Sequence, residues 1–173
     1  MTPRAAAAAA LAGVALAAAV APAAAAPTRA QELFRRLIVA DRMTTEPIVD
    51  LLRTGGGFVS RTIAYEDLTG DGRQDAVVRV ESGGAAGAVA LYVFSTHGRA
   101  AGTDLRAIHR RQKLVRATTR VRRGVLTFRS SRYADGDQLC CPSEIVETRL
   151  RWDDKRKRFR VARTRDVDPP APE

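Results

Sequence analysis

The chain is poor in the side chains that carry most enzyme chemistry. Of its 173 residues two are His and two are Cys, and aromatic residues make up only 5%. His97 and His109 are the only bases suited to neutral pH, and each lies among basic residues. No G-x-S-x-G elbow, H-E-x-x-H pair or phosphate-cradling glycine loop occurs. The neighbouring carboxylates Glu66 and Asp67 point to opposite sides of a strand, so they do not form an acid/base couple. These gaps favour a non-enzymatic protein. No aromatic platform is interleaved with the arginine runs, which argues against single-stranded nucleic acid as a partner. After residue 26 no apolar run is long enough to cross a membrane.

What is present begins with a leader. Residues 1–26 read as a signal peptide, with Arg4 as the positive start, Ala5 to Val20 as the apolar stretch and Pro22 as the break. Small residues follow, and cleavage is expected near Ala23 to Ala26. The expected product is secreted or extracytoplasmic. Residues 27–165 are expected to form a single domain of ordinary size. Residues 166–173, with three prolines, are expected to be a disordered tail.

The period of the apolar residues changes along the chain. Thr28 and Gln31 form a T-x-x-Q capping box, and Leu33, Phe34, Leu37, Ile38 and Met43 recur at helical spacing. A second helix is predicted over Glu46 to Arg53, ended by Gly55-Gly56-Gly57. From Phe58 the period becomes two. Strands are predicted over 58–66, 75–81, 88–95, 105–110, 114–121, 125–133 and 143–152, with a return strand that carries Phe159 and Val161 on its apolar face. Ala88 to Ser95 is apolar on both faces, as a strand covered on both sides requires. The fold class is α+β: an N-terminal helix or two packed on an antiparallel β-meander of about eight short strands.

Between the first two predicted strands lies an acidic, glycine-bearing loop, DLTGDGRQD. Asp67, Thr69, Asp71 and Asp75 occupy positions 1, 3, 5 and 9 of a calcium-loop spacing. Gly72 falls at the sharp turn, and the Arg73 carbonyl falls at position 7. Position 12, where a helix-loop-helix hand places a bidentate Glu, is Val78. Two readings stay open: a calcium site, or a tight turn in which Gly70 and Gly72 supply positive φ and the aspartates cap the backbone. Asp135 and Asp137 would add a second acidic contribution if the fold brought them to this loop.

The net charge is +10, from 29 Lys and Arg against 19 Asp and Glu. The stretch His97 to Arg132 is strongly basic, with Asp104 its sole acid. Arg106, Arg110, Arg111, Lys113, Arg116, Arg120, Arg122 and Arg123 are the candidate residues for an anionic surface or polyanion. The alternative is a solvated basic face with no dedicated ligand.

Three segments carry a family resemblance. They are DLTGDGRQDAVV, SRYADGDQLCCPSE and TRLRWDDKRKRF, and together they span roughly residues 58 to 165. In them the chain resembles the LppP/LprE family of bacterial cell-envelope lipoproteins and secreted relatives. The resemblance implies an envelope location, an unknown envelope component as partner, and no defined activity. It also implies a lipid-acceptor Cys after the leader, which this chain lacks. A further implied Cys, paired with one of the C-terminal cysteines, would fall where this chain reads VESGGAAG, so that long-range bridge cannot form.

Cys140 and Cys141 are adjacent. Export favours a disulfide, yet neighbours can close only an eight-membered ring. The sequence is compatible both with a vicinal disulfide and with one buried and one free thiol. C-C is not C-x-x-C, so a thioredoxin-like role is not indicated.

Overall fold

The structure, a computed structural model, describes residues 26–98 and 105–168. The leader before Ala26 and the last five residues of the tail lie outside these described residues. The first helix, α1 (Arg29–Ala40), starts where its capping box predicts. The Thr28 hydroxyl accepts the Gln31 N–H at 3.2 Å, and Gln31 Oε1 accepts the Thr28 N–H at 2.9 Å. The Gln31 amide also donates to the Val59 carbonyl at 2.7 Å, which ties the helix to the first strand. Helix α2 (Glu46–Thr54) has Pro47 in its first turn and ends at Gly55, whose φ of 77° only glycine adopts without strain.

Among the described residues nine strands follow: β1 (Phe58–Val59), β2 (Ala64–Glu66), β3 (Asp75–Glu81), β4 (Ala88–Ser95), β5 (Arg106–Arg111), β6 (Thr118–Arg122), β7 (Val125–Arg132), β8 (Glu144–Asp153) and β9 (Arg158–Val167). They do not form one continuous meander. The first sheet has the order β1-β3-β4-β5, with β2 also on β3, and the second has the order β6-β7-β8-β9. All pairings are antiparallel.

The division into two sheets follows from β4. Its Ala90, Tyr92 and Phe94 pack with Phe34 and Ile38 of α1 and Ile48 and Leu52 of α2. Its Leu91 and Val93 pack on the opposite side, against Leu126, Phe128, Leu150 and Phe159 of the second sheet. The first sheet is therefore the middle of three layers, with helices on one face and the second sheet on the other. Each large side chain buried in this way contributes about 1.5–3 kcal/mol.

Several expected boundaries move. The expected strand 58–66 is interrupted after Val59: Val59 pairs with Val80 and Ala64 with Val77, Ser60 still donates its N–H to the Arg79 carbonyl at 2.9 Å, and residues 61–63 form the bulge. The expected strand 114–121 begins only at Thr118. Before it, Leu114, Arg116 and Ala117 donate backbone N–H groups to Val89, Ala86 and Ala88, closing the end of β4. Lys113 and Arg116 take positive φ to do so, at 58° and 50°. Asp166 and Val167 belong to β9 rather than to a tail, because they pair with Val146 and Ile145. Val161, expected on the apolar face, is 58% exposed beside a register shift on the edge strand. Among the described residues no helix is long and apolar enough to cross a membrane.

Candidate functional site

The acidic loop folds around its own backbone. Asp67 Oδ1 accepts the N–H groups of Gly70 at 2.6 Å and Asp71 at 3.2 Å, and its Oδ2 accepts that of Gly72 at 2.8 Å. Gly70 and Gly72 supply the positive φ that wraps the chain around this carboxylate. Asp75 is buried, and its Oδ2 accepts the N–H groups of Leu68 and Thr69 at 2.9 and 3.0 Å. Asp71 points elsewhere, accepting from the Arg73 backbone at 3.0 Å and from its guanidinium. Burial raises the Asp71 carboxyl, but the hydrogen bonds and charge of Arg73, with His97, hold it below the usual carboxylate range.

Asp67, Asp71 and Asp75 therefore do not converge on one point. Among the described residues no three His, Cys, Asp or Glu side chains form a cluster suited to a metal ion. Asp137 does not join the loop either. It accepts from Ser143 and from the Ala134 backbone in its own turn, and these bonds hold its carboxyl low. Two atoms of the acidic loop stay without a hydrogen-bond partner, Asp75 Oδ1 and Thr69 Oγ1.

The loop instead lies at the seam between the sheets. Glu66 accepts the Gly124 N–H of the β6–β7 hairpin at 2.7 Å. His97 Nδ1 lies 3.4 Å from Asp71, its Nε2 lies 3.7 Å from Asp154, and its ring meets Trp152 edge-on at 5.2 Å. Cys140 and Cys141 are joined as a vicinal disulfide on an exposed turn. Arg116 supports that turn by donating to the Leu139 carbonyl at 2.7 Å.

The predicted basic site divides. Arg110 is bound to Asp41, and Arg106 donates to the His97 carbonyl at 3.3 Å. Arg111 ends β5, and Lys113 and Arg116 belong to the segment that closes β4. Arg120, Arg122 and Arg123 go to a different place, the outer face of the second sheet. There they meet arginines that the sequence reading did not include.

Register explains the meeting, since residues opposite one another in a sheet share a face. In one row across the strands Thr118 pairs with Arg129, Arg129 with Glu147, and Glu147 with Arg165. In the next, Arg120 pairs with Thr127, Thr127 with Arg149, and Arg149 with Arg163. In the third, Arg122 pairs with Val125, Val125 with Arg151, and Arg151 with Arg160. The inward residues between these rows, Leu126, Phe128 and Leu150, are buried between the sheets, which sets the outward direction of the arginines.

The result is a groove of ≈ 780 Å³ lined mainly by arginine and threonine, with Val125, Ala162 and a single carboxylate, Glu147. Glu147 is buried, at 4% side-chain exposure, while the Arg129, Arg149 and Arg165 side chains around it are 42–49% exposed. Its oxygens accept from Arg129 and Arg165 at 2.9 Å and from Arg149 at 3.3 Å. The Arg165 hydrogen bond, opposed by burial and reinforced by Arg129, lowers its pKa to about 2. The carboxylate thus fixes three guanidinium groups at one end of the groove. The side chains of Arg120, Arg122, Arg151 and Arg163 have no hydrogen-bond or ion-pair partner among the described residues. Guanidinium groups on this face are held by a carboxylate at one end, and positive charge dominates along the rest.

Fold and site together define an α+β domain with a basic groove on an open sheet face. Comparison of the chain with protein-family models, with curated proteins and with solved structures returned no match.

Proposed function

We propose that this chain is an exported, non-enzymatic envelope protein that binds a polyanion in the arginine groove of its second sheet. The observation that carries this reading is the outward register of Arg120, Arg149 and Arg163 in one row, beside Arg122 and Arg151 in the next. Side chains of one sign placed opposite one another destabilise a sheet, so a bound anion relieves a cost built into the fold. The exported setting rests on the leader pattern of residues 1–26 and on the resemblance to the LppP/LprE family.

Retention on a heparin-like resin tests the reading, because charge-driven binding weakens steeply as salt screens it. The triple variant Arg120→Ser/Arg149→Ser/Arg163→Ser should elute at clearly lower salt than the parent. A charge-matched triple variant on the helical side, Arg29→Ser/Arg36→Ser/Arg42→Ser, should elute close to the parent. Equal shifts in the two variants would mean that net charge, not the groove, holds the resin.

One observation favours a second reading, a calcium-stabilised module. Asp75 Oδ1 and Thr69 Oγ1 are buried without partners inside the acidic loop, and a hard cation accepts such oxygens as ligands. Asp67, Asp71 and the Arg73 carbonyl would have to turn toward them. Under this reading millimolar calcium raises the thermal midpoint of the parent and leaves that of Asp71→Ala unchanged. No response in the parent discards it.

A further inference from the structure

The groove has a direction. Val125 and Thr127 of β7 form its floor, with Arg120 and Arg122 of β6 on one side and Arg149 and Arg151 of β8 on the other. The two walls are separated by two strand spacings, about 9.5 Å between backbones. At one end the pair Arg129–Glu147 lies across the floor, and at the other the β6–β7 turn at Arg123 leaves the groove open. The lining continues past the β8 arginines to Ala162, Arg163 and Arg165 of β9, and the track along β7 between the two walls is wide enough for one polymer chain.

The arginines along each wall repeat every second residue, so their spacing is about 6.7 Å. Two residues of extended peptide contain about six backbone bonds. A phosphodiester polymer bridged by three-carbon units also has about six backbone bonds from one phosphorus to the next, and the same bond geometry gives it nearly the same extended repeat. Its phosphates therefore stay in step with the arginines of both walls. Guanidinium groups bind such oxygens through paired N–H donors. Inorganic polyphosphate, with about two bonds per repeat, places its charges too closely to match. Nucleic acid shares the longer repeat, but no aromatic ring lines the groove to stack a base.

We infer that the channel along β7 takes a single extended strand of a three-carbon-bridged phosphodiester polymer, such as a glycerol-phosphate chain. The inference rests on the polyanion reading above and narrows it to one chemistry and one direction.

Binding of a synthetic glycerol-phosphate oligomer to the full mature chain tests it, against inorganic polyphosphate and phosphatidylglycerol vesicles at equal phosphate and physiological salt. The oligomer should bind about tenfold or more tightly than either competitor. Arg120→Ser/Arg149→Ser should weaken it by about tenfold, and the helical-side pair Arg36→Ser/Arg42→Ser should not. Thr127→Glu, which places a carboxylate on the floor without removing any arginine, should weaken it similarly. Equal binding of polyphosphate overturns the matched spacing, and equal or tighter binding of vesicles makes the partner a membrane surface. In both cases the polyanion reading stands and the channel assignment falls. Binding of none of the three probes above the level of the arginine variants overturns both.

Discussion

Glu147 shows what one carboxylate does on a basic surface. It is the acid that three arginines of the second sheet share, and its burial makes its loss costly in a way that loss of an exposed partner is not. The three guanidinium groups are partly exposed, so water screens much of the attraction. Glu147→Gln should therefore destabilise the fold by about 1–2 kcal/mol at neutral pH. The sign with pH is fixed by the direction of the shift. A carboxyl whose pKa falls from 4.5 to about 2 on folding adds stability that is complete above 4.5. That stability drains away as pH falls from 4.5 toward about 2, and Glu147→Gln should lack this part of the profile. Chemical denaturation at a series of pH values reads both effects.

At the scale of elements, the seam between β5 and β9 has the opposite chemistry. His109 of β5 meets Phe159 of β9 at 5.3 Å, and Phe159 in turn meets Trp152 of β8 at 5.4 Å. His109 Nε2 is buried without a hydrogen-bond partner. Burial, and then the charges of Arg111 and Arg110, push its pKa down from 6.5 to about 4. The folded state thus holds His109 neutral at pH values where the unfolded chain would protonate it. Its contribution is complete above 6.5 and is lost as pH falls from 6.5 toward about 4. The loss is at most about 3 kcal/mol. His109→Phe keeps the ring contact and removes the titration, so its stability should be flatter than the parent's across that window. A parent and variant with parallel profiles would place the acid sensitivity elsewhere. Elsewhere at the seam, Glu66 joins the strand before the acidic loop to the β6–β7 hairpin, and His97 lies between Asp71 of that loop and Asp154 of the β8–β9 turn. An acidic loop that looks like a ligand site in the sequence is, in three dimensions, also a brace between two sheets.

At the scale of the molecule, a net charge of +10 makes some retention on any anionic matrix unavoidable. Only comparison of variants equal in charge and different in place separates the groove from that background, which is why the helical-side arginines serve as the control. The capping box at Thr28, the stop at Gly55 and the doubly covered strand Ala88–Ser95 were legible in the sequence, because each depends on residues within a few positions of one another. So was the α+β class, since a change of period from helix to strand is a local property. The partition of the basic residues was not legible. A run such as Arg106 to Arg123 is continuous in sequence, yet a turn at Lys113–Ala117 sends its first half to the first sheet and its second half to the other. Arg149, Arg151, Arg163 and Arg165 join Arg120 and Arg122 only through strand register, and register is set by which faces bury Leu126, Phe128 and Leu150. The elements, their order and the excess of positive charge thus follow from local sequence. Which arginines share a face follows from the folded arrangement alone, because it depends on pairings between residues far apart in the chain.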